Sequence, residues 1–296
     1  MYQPLKNPPN DKRMLPYGGS FAVQDTHIIE FIKSINLTDS LWAEGINYQF
    51  CEKYFEWIAS TKNNTFKGLE NFPYKVYANG TSQTFEIFYI KNKQRRFRCL
   101  RGEYIYHQLA WRNNWPDWKF IDELDLESND AVVISLPFAD TGDEYRLKEI
   151  LDTCEEKNIP VLIDCAYFGT CKGVEFDLSY NCITDIAFSL SKIFPVAHAR
   201  IGMRLTKQDD DDLMLVYDKI NYNNRLGAKL GLELIQNFDS DYICNKYADK
   251  QIQLCNQLDI TPSKTILFGL DFQNKYTEYN RGGAVNRLGL HKVLNV

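Results

Sequence analysis

The sequence lacks the features that mark a secreted, membrane-spanning or metal-binding protein. Its 296 residues contain no apolar run of about 18 residues, the length that a transmembrane helix requires. The N-terminus has no charged segment followed by an apolar one, which a secretory signal would show. With a net charge of −5, the surface as a whole does not attract nucleic acid or anionic membranes. We therefore expect a cytoplasmic protein whose partner is a small molecule, with no nucleic acid and no membrane partner.

Metal-binding patterns are also missing. The eight cysteines stand singly, without a CxxC pair, and the whole chain has only four histidines. Zinc and iron–sulfur sites need such residues in clusters, so the sequence predicts no metal site and indicates reduced, mostly buried thiols. One basic cluster, "KNKQRRFRCLRG" (91–102), raises RNA contact as an alternative, but in an acidic chain we interpret it as a solvated face.

Short apolar runs alternate with amphipathic segments through the middle of the chain. This alternation predicts an α/β fold, a mixed, mostly parallel seven-stranded sheet with flanking helices. The predicted strands are "YKVYA" (74–78), "RRFRCL" (95–100), "WKFID" (118–122), "AVVISLPF" (131–138), "PVLIDCAY" (160–167), "DIAFSLS" (185–191) and "RIGMRL" (200–205). The predicted helices between them begin at "TSQTFEIFYIKNK", "EYIYHQLAWRNN" and "DEYRLKEILDTCEEKN".

The flanking segments divide the predicted domains. Residues 1–72 form an N-terminal segment and part of a small lobe, and residues 73–206 form the large domain. Residues 207–238 form a connecting segment, either one long helix or a broken pair, with aspartates at its N-terminal end, where the helix dipole favours them. Residues 239–296 are too few for an independent core, so we expect a small α+β lobe built from both termini.

Three polar features lie at the ends of predicted strands, where open α/β sheets bind ligands. In "ANGTSQ" (78–83), Gly80, Thr81 and Ser82 form either a phosphate cradle at a helix start or an ordinary Asn-Gly turn with a capping threonine. In "LIDCAYFG" (162–169), a buried strand delivers Asp164 into a position that demands a partner for its charge, with Tyr167 three residues on.

The third feature is "SLSKIFPVAHARIG" (189–202). It places Lys192 at a strand end and Arg200 at the start of the next strand. A lysine desolvated in a pocket loses pKa and becomes nucleophilic enough to form a Schiff base, and an arginine offers a planar fork suited to phosphate. Taken singly, each residue is more typical of a surface cation, because lysine and arginine are seldom buried.

The three motifs occur in the order GTS, DxAYxG and SxSK, and an arginine follows the last of them. Over about residues 73–206, this pattern resembles the fold type I pyridoxal-phosphate enzymes, and among them the class I/II aminotransferase group. The resemblance implies an aspartate-aminotransferase-like large domain and pyridoxal 5'-phosphate as cofactor. Lys192 would hold the cofactor as an internal aldimine, Asp164 would pair with its ring nitrogen, and Tyr167 would bind its ring oxygen. The remaining implied cofactor contacts are Gly80, Thr81, Ser82, Ser189, Ser191 and Arg200 at the phosphate, and Tyr104 stacked on the ring, although Tyr104 could instead be a core aromatic.

The sequence departs from the family in two places. The family's asparagine turn reads "PFADTG" (137–142) here, with Ala139 at the aligned position and Asp140 beside it, so the usual amide contact to the ring oxygen is expected to be absent. The C-terminal lobe is short, but "NRLGLHKVL" (286–294) is similar to the family's carboxylate-binding motif and makes Arg287 the predicted clamp, with Arg281 a weaker rival.

The N-terminal stretch "LPYGGSF" (15–21) predicts either a mobile segment that covers substrate through Gly18 and Gly19, or an ordinary turn. The resemblance implies a homodimeric aminotransferase that takes an amino donor and a keto acid acceptor. A pyridoxal-phosphate lyase or decarboxylase and a non-catalytic scaffold are the alternatives, because cofactor residues do not separate reactions that begin in the same way.

Overall fold

The computed structural model describes residues 15–107, 118–121 and 125–295. Its largest element is a seven-stranded sheet, in the order β2-β9-β8-β6-β5-β3-β4. The strands are β2 (Tyr74–Ala78), β3 (Arg96–Cys99), β4 (Trp118–Phe120), β5 (Asp130–Ser135), β6 (Val161–Cys165), β8 (Ile183–Ser189) and β9 (Gly202–Thr206). The neighbours from β4 to β8 run parallel, and β9 is antiparallel to both β8 and β2. The predicted mixed, mostly parallel sheet is confirmed.

The central strands are apolar because helices cover both faces of the sheet. Every residue of β5 and β6 is buried. Parallel strands buried on both faces lose the alternation of apolar and polar residues, which explains the continuous apolar runs in the sequence. The helices that the structure describes are α1 (Thr26–Ser34), α2 (Ile46–Ala59), α3 (Thr81–Lys91), α4 (Leu147–Glu156), α5 (Leu213–Lys219), α6 (Arg225–Asn237) and α7 (Tyr242–Leu258). Short 3-10 helices occur at Thr38–Trp42, Leu69–Asn71, Ala197–Ala199 and Thr277–Tyr279.

Helix α2 packs on the large sheet and on α6, although it lies in the N-terminal segment. Its Phe50 ring lies 5.7 Å from the ring of Tyr77 in β2, and Trp57 Nε1 donates to the Phe238 carbonyl at 2.7 Å. A short parallel pair, β1 (Thr65–Lys67) with β7 (Glu175–Asp177), follows it. Much of the segment before residue 72 therefore supports the large domain.

The connecting segment contains two helices, α5 and α6, separated by residues 220–224. Asp212 caps α5 by accepting hydrogen bonds from the N–H groups of Met214 and Leu215. Asn221 adopts a positive φ of 56°, and Asn224 caps α6 through the N–H of Gly227. Asparagine tolerates this left-handed conformation and caps helices well, so the break follows from the local sequence.

The C-terminal residues form α7 and a three-stranded antiparallel sheet, β10 (Thr261–Pro262), β11 (Phe268–Asp271) and β12 (Asn286–Gly289). The N-terminal segment packs beside them: the Gly289 N–H donates to the Tyr17 carbonyl at 2.7 Å, and the Tyr247 hydroxyl donates to Asp25 at 2.6 Å. This pairing of both termini places Arg287, in β12, at the edge of the large sheet.

Part of two predicted elements lies outside the described residues, namely the helix from residue 103 beyond His107 and the last residue of the strand 118–122. Within the described ranges, no helix is both long and apolar enough to cross a membrane. The same ranges hold no group of three or more His, Cys, Asp or Glu side chains arranged to bind a metal ion.

Candidate active site

The predicted phosphate-binding residues of "GTS" lie where β2 meets α3. Gly80 has φ 71° and ψ −179°, a conformation that other residues essentially never adopt, and Thr81 and Ser82 open the helix. The Asn79 N–H is held by the Gln83 side chain at 2.8 Å. The first N–H groups of a helix have no partner within it, so this end of α3 presents donors and positive dipole to an anion.

Arg200 reaches the same point from the other side of the sheet edge. It has a positive φ of 55° just before β9, and its Nη2 donates to Ser82 Oγ at 2.9 Å. A Cβ on Gly80 would lie 2.7 Å from Arg200 Cζ, so only glycine admits the guanidinium. Ser189, at the end of β8, lies 2.8 Å from Ser191 through their hydroxyls. Gly202, in β9, pairs with Ser189. A Cβ added to Gly202 would lie 3.1 Å from the Cα of Gly80, so the two glycines are in close contact. The predicted phosphate residues are thus brought together.

Lys192 lies three residues after the end of β8. Its amine donates to the Ser20 carbonyl and lies 5.7 Å from the centre of the Tyr167 ring and 5.2 Å from that of Phe21. Burial lowers the pKa of the Lys192 amine, and the charge of Arg287 lowers it further, against an opposing effect of Tyr167. A larger fraction of this amine is therefore neutral and nucleophilic than in an exposed lysine.

Asp164 and Tyr167 lie at the carboxyl end of β6. Asp164 is 3% exposed and accepts a hydrogen bond from the Ala166 N–H at 3.0 Å. The Tyr167 ring packs edge-on against Phe268 at 5.0 Å. Burial acts to raise the pKa of the Tyr167 phenol, but the positive charges of Lys192 and Arg287 outweigh it and lower that pKa below its ordinary value. The phenol is thus a strong hydrogen-bond donor facing two cations.

Sequence reasoning missed a buried histidine behind Asp164. His107 is fully buried, its Nε2 lies 3.9 Å from Asp164 Oδ2, and its Nδ1 lies 2.7 Å from the Tyr89 hydroxyl. Its Nε2 has no hydrogen-bond partner among the described residues. Tyr104, three residues earlier, packs edge-on to it at 6.0 Å and is 42% exposed, so its ring borders the opening of the site. A histidine three residues after the predicted stacking aromatic was the available signal.

Glu103 was also missed. It is 1% exposed and accepts a hydrogen bond from the Ser135 N–H at 2.8 Å and another from the Ser135 hydroxyl. Ser135 is paired with Asp164 across the sheet. Burial raises the pKa of Glu103, and the nearby Asp164 charge adds to that effect while His107 opposes it. Two carboxylates and one imidazole therefore share this buried end of the sheet.

The predicted carboxylate clamp lies on the opposite side of Tyr167. Arg287 is 4% exposed, its guanidinium stacks 4.3 Å from the centre of the Phe268 ring, and its Nη1 donates to the Ala139 carbonyl. Arg281 Nη1 donates to the same carbonyl at 2.9 Å. Burial and the charge of Arg281 lower the pKa of Arg287 to about 10. Ala139, at the position of the family's asparagine, thus offers only its backbone oxygen, and both arginines use it.

The N-terminal glycines lie beside β12. Gly19 has a positive φ of 71°, and a Cβ on Gly289 would overlap its carbonyl oxygen. Gly18 donates through its N–H to the Leu15 carbonyl at 2.9 Å, which forms a tight turn. This turn directs Ser20 and Phe21 onto the Lys192 amine. A substrate contact of Gly18 and Gly19 themselves stays a prediction.

The fold is that of the fold type I, class I/II aminotransferases, and the chain is similar to that family. The family profile "Aminotransferase class I and II" matches residues 94–239, slightly less than half of the chain. No curated protein matches the sequence.

Solved structures share the fold at low sequence identity. The aromatic aminotransferase of Pyrococcus horikoshii OT3 has a TM-score of 0.63 and 13% identity, covering 93% of this chain and 90% of its own. The histidinol-phosphate aminotransferase of Clostridium acetobutylicum has a TM-score of 0.57 and 18% identity, covering 86% and 81%. The PLP-bound C-S lyase of Staphylococcus hominis, in complex with L-cycloserine, has a TM-score of 0.62 and 11% identity, covering 89% and 80%. These similarities establish the fold and leave the reaction open.

Proposed function

We propose that the protein is a pyridoxal 5'-phosphate-dependent aminotransferase that acts on an amino acid or a related amine, with Lys192 as the residue that bonds the cofactor. The observation that carries the proposal is the Lys192 amine. Its pKa is lowered by burial, and it lies 5.7 Å from the Tyr167 ring, at the sheet edge that also holds Asp164. A lysine with this environment is suited to bonding an aldehyde.

The residues present fit the cofactor. Its phosphate fits the donors at Gly80, Ser82 and Arg200, where a side chain on residue 80 would leave no room. Its protonated ring nitrogen fits Asp164, a buried carboxylate whose desolvation a cation would offset. Its ring oxygen fits the Tyr167 phenol. When bound, this cofactor supplies an electron sink that weakens the bonds at the α-carbon of an amino acid.

The chain's own groups supply binding and proton transfer. His107 borders Asp164 on the buried side, with its Nε2 3.9 Å from Asp164 Oδ2, and so would help to position the carboxylate. The Lys192 nitrogen, with its pKa lowered by burial, would be the base that moves the α-proton of the substrate. Arg287 would bind the substrate carboxylate with its guanidinium, whose Nε has no partner among the described residues.

The first test is covalent labelling. The protein is incubated with pyridoxal phosphate, reduced with borohydride and digested, and the peptides are weighed by mass spectrometry. We expect the cofactor mass on Lys192. Lys207 is an internal control, because burial lowers its pKa too, while its amine donates to the Tyr180 carbonyl at 2.8 Å, remote from the site. Equal labelling of both lysines, or none in a folded protein, would favour the scaffold alternative.

The second test separates the reactions. The protein loaded with pyridoxal phosphate is incubated with a panel of amino acids and keto acids, and the products are measured by mass spectrometry. Transamination yields a new amino acid from the keto acid acceptor. Ammonia with a keto acid from one substrate indicates a lyase, which the likeness to a C-S lyase makes the second candidate. Carbon dioxide release indicates a decarboxylase.

We also propose that the protein is a homodimer. Large apolar side chains are exposed on one surface made by the 3-10 helix Thr38–Trp42, the end of α5 and the start of α6. They are Leu41, Trp42, Ile220, Tyr222 and Leu226, with 40% to 72% of their area exposed. Arg225 Nη1 donates to the Leu41 carbonyl at 3.1 Å, which joins the two halves of this surface. Continuous exposed apolar surface of this kind marks an association site, and a second copy is the occupant that the family implies.

Sedimentation of Trp42→Arg tests the dimer. We expect it to shift the protein toward monomer, and the matched variant Phe272→Arg, at a residue that is 62% exposed elsewhere, to leave the mass unchanged. A wild-type protein that sediments as a monomer at high concentration would contradict the proposal. The cytoplasmic location remains a prediction, supported by eight cysteines that are all free and buried.

A further inference from the structure

Asp140 is a buried acid that the proposed reaction does not use. It is 0% exposed and follows Ala139, the residue that replaces the family's asparagine. Neither of its carboxylate oxygens makes a hydrogen bond of ordinary geometry with a described residue, although the N–H groups of Ala284 and Val285 face it. A buried carboxylate with so few partners has a substantial desolvation cost, which the surroundings must offset.

Two glycines, Gly102 and Gly283, approach Asp140 closely and fix the position of its carboxylate. A Cβ on Gly102, which has a positive φ of 85°, would lie 2.7 Å from Asp140 Cγ, and a Cβ on Gly283 would overlap the carboxylate. The two glycines therefore enclose the acid between the large domain and the loop before β12. The carboxylate cannot swing toward solvent without moving one of these segments.

Arg281 and Arg287 offset the desolvation cost of the Asp140 carboxylate. Arg281 Nη1 lies 4.0 Å from Asp140 Oδ1, and the charges of Arg281 and Arg287 both act on Asp140, opposing the rise in its pKa that burial causes. Both guanidiniums also donate to the one carbonyl of Ala139. Two cations that share a neutral acceptor repel each other, and that repulsion is part of the cause of the lowered pKa of Arg287.

The charges of these three residues determine which ligands the subsite favours. Two arginines and one aspartate leave this subsite with a net charge of plus one, before any substrate enters. We propose that Asp140 sets this charge, so that the subsite accepts an amino acid with a single carboxylate and discriminates against dicarboxylic substrates. The second carboxylate of a dicarboxylic substrate would be desolvated beside a fixed anion, an arrangement that rejects a ligand by leaving like charges unpaired. This inference rests on the proposed function, because it assigns the subsite to the amino acid substrate.

Asp140→Asn keeps the shape between the two glycines and removes the charge. Calorimetric titration of the pyridoxal phosphate-loaded protein compares butyrate with succinate, which have the same number of carbons and differ by one carboxylate. We expect Asp140→Asn to raise the affinity for succinate relative to butyrate by about tenfold or more, since one unit charge is removed from a poorly solvated site. Asp249→Asn, which removes an exposed acid on α7, is the charge control and should leave the ratio unchanged.

Arg281→Gln provides the second arm. By itself it should lower the ratio of succinate to butyrate affinity, and the double variant Asp140→Asn/Arg281→Gln, again at plus one, should return the ratio to that of the wild type. If Asp140→Asn does not fold, Asp140→Ser replaces it in the single and double variants, and an unchanged ratio overturns the inference.

The readouts distinguish the two proposals. An unchanged ratio in Asp140→Asn, with the cofactor mass still on Lys192 after reduction, overturns the role of Asp140 alone. Failure of the wild type to acquire that mass overturns the proposed function. A tenfold shift that Asp249→Asn also produces overturns the role of Asp140, because it would then reflect the overall charge of the chain.

Discussion

Gly80 offers the sharpest test of the phosphate-binding end of the site. Its φ of 71° with ψ of −179° is open essentially to glycine alone, and Gly80→Ala should lower the free energy of unfolding by about 1–3 kcal/mol for the backbone. The added methyl would also lie 2.7 Å from Arg200 Cζ. Arg200 is exposed at its end and can swing away, so this overlap adds little to the stability loss.

The overlap would instead displace the Arg200 guanidinium. Arg200 Nη2 is held 2.9 Å from Ser82 Oγ, at the start of α3, and the methyl would displace it from there. A hydrogen bond to a charged group contributes about 1.5–3 kcal/mol, so phosphate affinity should fall about 10-fold to 100-fold. Gly173→Ala is the matched control, because Gly173 has nearly the same φ, 73°, and no atom within 4 Å of an added Cβ.

Urea unfolding with and without inorganic phosphate, at matched ionic strength, separates the two effects. Phosphate that binds the folded state stabilises it in proportion to the logarithm of its concentration over Kd. Both variants should lose stability in the absence of phosphate, and only Gly80→Ala should lose the stabilisation by phosphate. If Gly80→Ala gains as much from phosphate as Gly173→Ala does, the assignment of this loop to an anion is wrong.

Two further predictions concern buried charges. Burial and the charges of Lys292 and Lys192 lower the pKa of His291 to about 4, so between pH ~6.5 and ~4 the unfolded chain binds a proton that the folded chain does not. Lowering the pH through this range should therefore reduce the free energy of unfolding by up to about 3 kcal/mol in the wild type. His291→Asn should not show this loss when urea unfolding is measured at both pH values. Asp130→Asn should cost about 3–5 kcal/mol in the same assay, because it leaves the fully buried Arg98 without the carboxylate 3.4 Å from its Nε. Glu149→Gln, in an exposed pair, should cost far less, and equal losses for the two variants would refute the reasoning.

The sheet was predictable because its signal is local. Buried parallel strands appear as short apolar runs, and every run in the sequence corresponds to a strand of the large sheet. The predicted phosphate residues lie beside strand ends, with Gly80 after β2, Ser191 after β8 and Arg200 before β9, so a sequence pattern could place them at one edge of the sheet. Their binding of phosphate stays a prediction. The break between α5 and α6 was visible too, in the asparagines at 221, 223 and 224.

The contacts that sequence reasoning missed are pairings over long separations. The Lys192 amine donates to Ser20, 172 positions earlier, and nothing near either residue indicates it. Glu103 and His107 lie in a segment with aromatic residues, which a periodicity argument assigns to a helix surface; only the folded sheet brings them behind Asp164. Local pattern predicts which elements form, whereas the partner of a buried polar group depends on how those elements are placed.

The C-terminal residues contact the turn that follows β5. The Ser263 hydroxyl donates to the Thr141 carbonyl at 2.7 Å, and Arg281 donates to the carbonyls of Gly102 at 3.3 Å and Ala139 at 2.9 Å. The acceptors are backbone oxygens of the large domain, so these contacts constrain the position of the loop before β12 without depending on side chains of the large domain. The residues proposed to bind the cofactor lie at the ends of β2, β6 and β8 and in the turns beside them, outside this loop. Substrate preference can therefore change through residues such as Arg281 and Asp140 without disturbing the residues proposed to hold the cofactor.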